Sequence, residues 1–219
     1  MVRLALEELG VAYEDVLVDR AAGEQRSAAF RELNPQGLLP VLEDGELVLF
    51  ETAAILLHLG DREGALVPEL GTAGRSECYK WLAFIANTLH ADLRVRFYTS
   101  RYTDDPDSVP AMRRALAGRI SGHFDLLDRE IAGHDGPWLL DSGLSVCDLY
   151  LGLCARWSQL FPMDARPVDP PPAARPHLRC LLEALEARPA VARACHREGV
   201  PAPFFSAPLP AQPTEGSVV

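Results

Sequence analysis

Basic charge is what this chain most lacks. Twenty-one Lys and Arg residues stand against 31 Asp and Glu, a net charge of −10. Binding nucleic-acid phosphate needs clustered Lys and Arg, so that balance excludes nucleic acid as a partner. Long hydrophobic runs are also missing. No stretch approaches the roughly 20 apolar residues that cross a bilayer, so no membrane partner is expected. Arg3, Glu7 and Glu8 break up the start in a way no secretory signal would. The five cysteines (Cys78, Cys147, Cys154, Cys180, Cys195) are odd in number, with no CxxC or metal-ligand spacing. They read as reduced thiols of a cytoplasmic protein. His58, His90, His123, His134, His177 and His196 show no HxxxH pattern. Asp104, Asp105 and Asp107 lack the glycine and closing glutamate of a calcium loop. There is no glycine-rich phosphate loop, no GxSxG elbow and no internal repeat.

What is present has ordinary globular composition, 48% hydrophobic and 24% charged over 219 residues, enough for one large domain or two small ones. The densest signal lies between Asn34 and Leu59, NPQGLLPVLEDGELVLFETAAILLHL. It reads as loop, strand, turn, strand and helix. Val41 to Glu43 follows Pro40, Asp44-Gly45 is a hairpin-turn dipeptide, and Glu46 to Phe50 is the return strand. Thr52 is the expected N-cap of a buried helix through Leu59. A helix that starts directly after a strand aims free N–H groups and positive dipole at one point, where an anion can sit.

The ordered string Asn34-Pro35-x-Gly37-x-x-Pro40-Val41-Leu42, then Glu51-Thr52-x-x-Ile55, resembles the glutathione-binding half of the glutathione S-transferase family, bacterial type. The resemblance implies that Pro40 is cis, that the Leu39 backbone pairs with the cysteinyl part of glutathione, and that Glu51 and Thr52 hold its γ-glutamyl group. It also implies a fold: an α/β thioredoxin-like N-terminal domain followed by an all-α helical domain. Many relatives carry Gln or Lys where this chain has Leu38, a side chain unable to reach the glycine carboxylate of glutathione.

In chain order, Met1 to Gly10 reads as an amphipathic helix, Tyr13 to Asp19 as a strand, and Gly23 to Leu33 as a loop and short helix. The family's first domain opens with a further strand before its first helix, and the loop between them carries a Tyr, Ser or Cys that stabilises the glutathione thiolate. No residue here matches that loop, so the domain is expected to be truncated before its first helix, with a start assigned too far downstream. Taking out a central strand is expected to leave two strand edges unpaired and buried. No catalytic residue is identified from this loop.

Residues 63–74 read as a linker rich in glycine, after which the pattern turns helical. The domain reading is 1–62 for the truncated glutathione-binding domain, 75–200 for the helical domain, and 201–219 for a proline-rich tail, partly disordered. Ser76 to Ser100 reads as one helix, apolar nearly all round. Its run Trp81–His90 resembles bacterial members of the family, some of which place a histidine near the glutathione thiol; His90 is the candidate, beside the plainer reading of a packing histidine. Arg94, Arg96 and Arg101 lie among Phe97, Tyr98 and Tyr102, as a solvated helix face or the rim of an anionic pocket. Val109 to Ile131 reads as a helix, and Ser145 followed by Asp148 as a capping box. Leu178 to Ala187 and Val191 to Arg197 read as two more helices, with Phe204 and Phe205 able to dock on them.

The resemblance implies a detoxifying enzyme, a homodimer, that transfers the thiolate of its co-substrate glutathione to a hydrophobic electrophile. Two other readings stand beside it: a non-catalytic glutathione-binding or interaction module, and a glutathione-dependent isomerase or dehalogenase.

Overall fold

The first helix, α1 (Val2–Leu9), buries Leu4, Ala5 and Leu6 and stops at Gly10, whose φ of 67° suits a residue without Cβ. In this computed structural model residues 1–212 are described; 213–219, the end of the tail expected to be disordered, lie outside the described residues. The opposite face of α1 is tied to residues 188–193. Glu8 takes two bonds of 2.7 Å from Arg188, and Glu7 one of 2.9 Å from Arg193.

Tyr13 to Asp19 is not a strand. It runs without regular structure, with Val16 78% and Leu17 89% exposed. A strand is defined by its ladder, and no partner strand lies beside this segment among the described residues. The expected pair of buried, unpaired edges is therefore replaced by an open face.

Helix α2 (Ala28–Leu33) is capped by Ser27, whose Oγ accepts from the Phe30 amide at 3.1 Å. The sheet consists of β1 (Val41–Asp44) and β2 (Leu47–Phe50), antiparallel, with Val41 opposite Phe50 and Asp44 opposite Leu47. Gly45, at φ 62°, makes the tight turn. Helix α3 (Thr52–Glu63) follows at once and buries Ile55, Leu56 and Leu59. Its N-cap is Glu51 and not Thr52, which is already the first helical residue.

The expected single helix over 76–100 is three pieces: α4 (Ala73–Phe84), one π-helical turn (Ile85–Leu89) and α5 (His90–Phe97). The π turn inserts a wide coil that rotates the faces of α5 relative to those of α4. Arg75, 3% exposed, anchors α4 to α3 by bonds of 2.7 and 2.9 Å to the Asp61 carboxylate. Arg96 is also buried, at 2% exposure, so it belongs to no solvated face. Its guanidinium donates to the Phe161 and Arg166 carbonyls and holds the loop between them.

Helices α6 (Val109–Ile131), α7 (Val146–Leu160), α8 (Pro176–Glu186) and α9 (Pro189–Arg197) complete the helical domain. At the start of α7, Asp148 accepts from the Ser145 amide (2.7 Å), the Ser145 hydroxyl (2.8 Å) and the Leu139 amide (2.8 Å). The capping box thus also fixes the preceding loop. Burial opposes ionisation of this carboxylate and raises its pKa to about 6, against the lowering effect of those donors. Phe204 and Phe205 do dock, at 4% and 1% exposure. Arg156 holds this stretch through the Phe204 and Leu209 carbonyls, and Glu186 through the Phe205 and Ser206 amides. Among the described residues no helix is long and apolar enough to cross a membrane.

Candidate functional site

The loop before β1 is built around Asn34, a buried residue at 3% exposure. Its side-chain amide donates to the Leu38 carbonyl at 2.7 Å, and its Oδ1 accepts from the Gln36 amide at 3.1 Å. Gly37 adopts φ 64°, and a Cβ there would sit 2.7 Å from the Gln25 carbonyl oxygen, so only glycine closes this turn. The turn delivers Leu39-Pro40 with its peptide bond cis. Leu39 itself stays 45% exposed.

Across from it, Glu51 caps α3 with φ 73° and ψ 111°, a conformation costly for any residue carrying a Cβ. Its carboxylate is exposed at the positive end of the helix, while Thr52 is buried at 8% exposure. The four residues singled out from sequence, Leu39, Pro40, Glu51 and Thr52, thus lie at the open end of the β1–β2 hairpin, where Val41 pairs with Phe50.

His90 is the first residue of α5. Its Nδ1 lies 2.7 Å from the Tyr150 hydroxyl, and its ring also meets Trp157 at 5.2 Å between centroids. Burial, with smaller contributions from Arg94 and from the amino group of Met1, lowers the His90 pKa to about 4. Burial pushes the Tyr150 phenol up, with a smaller contribution from Glu51 in the same direction. Both groups are therefore neutral at pH 7. Tyr150 is a residue the sequence analysis missed. The one available signal was a polar-headed aromatic inside the apolar run of α7.

Two surface clefts lie elsewhere. One of about 530 Å³ is lined by Glu7, Arg193, His196 and Arg197, the other of about 380 Å³ by the loop around Gly133, Trp138 and Asp141. Neither contains a residue of the Leu39–Glu51 corner, and the arginines of the first are already paired with Glu7. Among the described residues no cluster of His, Cys, Asp or Glu could hold a metal ion.

Residues 1–61 match the family model described as glutathione S-transferase, N-terminal domain. A glutathione S-transferase-like protein of Beauveria bassiana is 30% identical over 195 residues, covering 87% of this chain and 86% of that protein. A probable maleylacetoacetate isomerase of Vibrio cholerae is 31% identical over 199 residues, 88% of each. Among solved structures, a sphingomonad glutathione S-transferase complexed with glutathione superposes with a TM-score of 0.74 at 30% identity. That match covers 90% of this chain and 92% of the other.

Proposed function

Because the chain belongs to the glutathione S-transferase family, we propose that it binds glutathione at the Leu39–Glu51 corner and presents its sulfur to a hydrophobic electrophile. The observation that carries this reading is the pairing of a cis Leu39–Pro40 bond with Glu51 in a left-handed cap at the N-terminus of α3. In it the Glu51 carboxylate accepts the γ-glutamyl ammonium group. The first amides of α3 and the Thr52 hydroxyl receive the neighbouring carboxylate, where the helix dipole favours negative charge. The exposed Leu39 backbone pairs with the cysteinyl unit.

His90 and Tyr150 act on the sulfur end. A protonated phenol donating to Nδ1 leaves the histidine proton on Nε2. A neutral imidazole with a free Nε2–H is a hydrogen-bond donor that does not titrate near pH 7. Such a donor stabilises a thiolate relative to its thiol and so lowers the pKa of a bound thiol. His90 is assigned the role of donor to the sulfur and Tyr150 the positioning role of fixing its tautomer.

Similarity to the Vibrio cholerae protein supports a second reading, glutathione-dependent isomerisation, in which the thiolate adds to and then leaves the same substrate. Leu38, with no group to hold the glycine carboxylate, supports a third, a binding module without turnover. Five unpaired thiols fit a cytoplasmic location, and the proposal includes a homodimer, to be checked by light scattering. Domain limits of 1–62 and 75–200 belong to the same proposal. Supporting them is the irregular connection between Gly64, which ends α3, and Thr72, which caps α4.

Turnover of a general chromogenic electrophile, abolished by Glu51→Ala, is the expected result. Retention on glutathione-agarose without turnover of either that electrophile or a cis-enedione would leave only the module. Failure to be retained, with a folded protein, would overturn the reading.

A further inference from the structure

The fold buries a second pair of reactive groups that the glutathione site does not use. Cys78 in α4 and Cys147 in the first turn of α7 are both fully buried, and their sulfur atoms are 3.9 Å apart. The two helices touch there, with the Cys147 Sγ also 3.5 Å from the Cys78 carbonyl oxygen. The other three cysteines lack this arrangement: Cys154 and Cys195 are buried apart from this pair, and Cys180 is exposed on α8. We propose that Cys78 and Cys147 form a reversible dithiol–disulfide pair that joins α4 to the capped start of α7.

The chemistry has an assigned direction. The hydrogen bond between the two thiols, and then the nearby Arg75 guanidinium, hold the Cys78 thiol below its usual range against the opposing effect of burial. The same bond, with burial, holds Cys147 well above it. Cys78 is therefore the nucleophile and Cys147 the resolving thiol. With hydrogen peroxide as oxidant, the Cys78 thiolate attacks one peroxide oxygen. The O–O bond breaks, a sulfenic acid forms, and hydroxide leaves to take up a proton as water. The Cys147 sulfur then attacks the sulfenic sulfur, forming the S–S bond and expelling the oxygen as a second water. Two thiols lose two hydrogens in all and one peroxide becomes two waters. A small peroxide suits a site sealed to a tripeptide disulfide.

The placement gives the pair a consequence. Cys78 lies on the helical run that continues through the π turn to His90, and Cys147 precedes Tyr150 by three residues on α7. The disulfide would cross-link the same two helical runs that the His90–Tyr150 hydrogen bond joins. This inference is independent of which ligand the site takes.

The test is peptide mapping of the full-length protein after peroxide treatment, with remaining thiols alkylated under denaturing conditions. The expected product is a Cys78–Cys147 linked peptide, lighter than the dithiol by two hydrogens and restored by dithiothreitol. Oxidised protein should also melt higher by roughly 5–15 °C, and Cys78→Ser should abolish both effects. Recovery of both cysteines as alkylated thiols while Cys180 is oxidised would overturn the proposal. So would their separate conversion to sulfinic acids. The wild-type mapping decides the question even if Cys78→Ser does not fold.

Discussion

The Nδ1 of His90 and the hydroxyl oxygen of Tyr150 lie 2.7 Å apart, joining the start of α5 to the second turn of α7. A neutral histidine next to a protonated phenol is a fixed donor, and that arrangement sets the first two predictions.

His90→Ala should raise the pKa of bound glutathione and slow thiolate transfer by about 10- to 100-fold, the value of one hydrogen bond to a charged group. Tyr150→Phe should give a smaller loss, because the Nε2–H survives but its tautomer is no longer imposed. Ultraviolet thiolate absorbance of the complex, titrated against pH, separates this effect from a structural one. A merely structural role would change yield and stability but not the titration midpoint.

The same histidine affects stability against acid. Its folded pKa of about 4 lies below its ordinary value of 6.5. The unfolded chain therefore binds a proton first as pH falls, and stability is lost through that window. The contribution is fully present above pH 6.5 and gone below the folded value. His90→Gln should flatten the fall in unfolding free energy between these limits relative to wild type, as measured by urea titrations at several pH values. Asp148, raised to about 6, acts in the opposite direction in both proteins and cancels from the difference.

The capping box makes a separable prediction. Ser145→Ala should cost about 0.5–2 kcal/mol, the usual value of a lost N-cap. Asp148→Ala should cost more, roughly 2–5 kcal/mol, because the Leu139 and Ser145 amides both lose their buried acceptor. Denaturant midpoints at constant m-value check the ordering.

Packing around α3 supplies the fourth. A Cβ on Gly60 would lie 2.7 and 2.9 Å from the two Val67 methyl carbons and 3.1 Å from the Ala65 carbonyl oxygen. Gly60→Ala should destabilise by about 1–3 kcal/mol, since the backbone oxygen cannot step aside. Restoring space with Val67→Ala should recover part of that loss.

Much of this architecture was legible because its causes are local. Ser145 and Asp148 announce a helix start through two side chains and their own amides, and Asp44-Gly45 marks a turn that needs positive φ. The cis Leu39–Pro40 bond in the proposed glutathione corner was likewise implied by one ordered string. Tyr13 to Asp19 could not be read correctly, because alternation describes a face and a strand exists only through a neighbour. Nor could the π turn at Ile85–Leu89, which splits what reads as one helix and lies against α7. Arg96 reads as a surface cation, yet two loop carbonyls distant in sequence draw it inside. Tyr150 is the instructive omission: its role comes from a histidine sixty residues away, and no local pattern records that.

The central claim is that Glu51 at the cap of α3 grips glutathione. The most direct test is calorimetric titration of glutathione into wild-type protein and Glu51→Gln, with circular dichroism confirming an unchanged fold. The account predicts saturable one-site binding by wild type and about 10- to 150-fold weaker binding by the variant, from the loss of a charge-assisted bond. Equal affinity in the two proteins, or no binding by folded wild type, would contradict it.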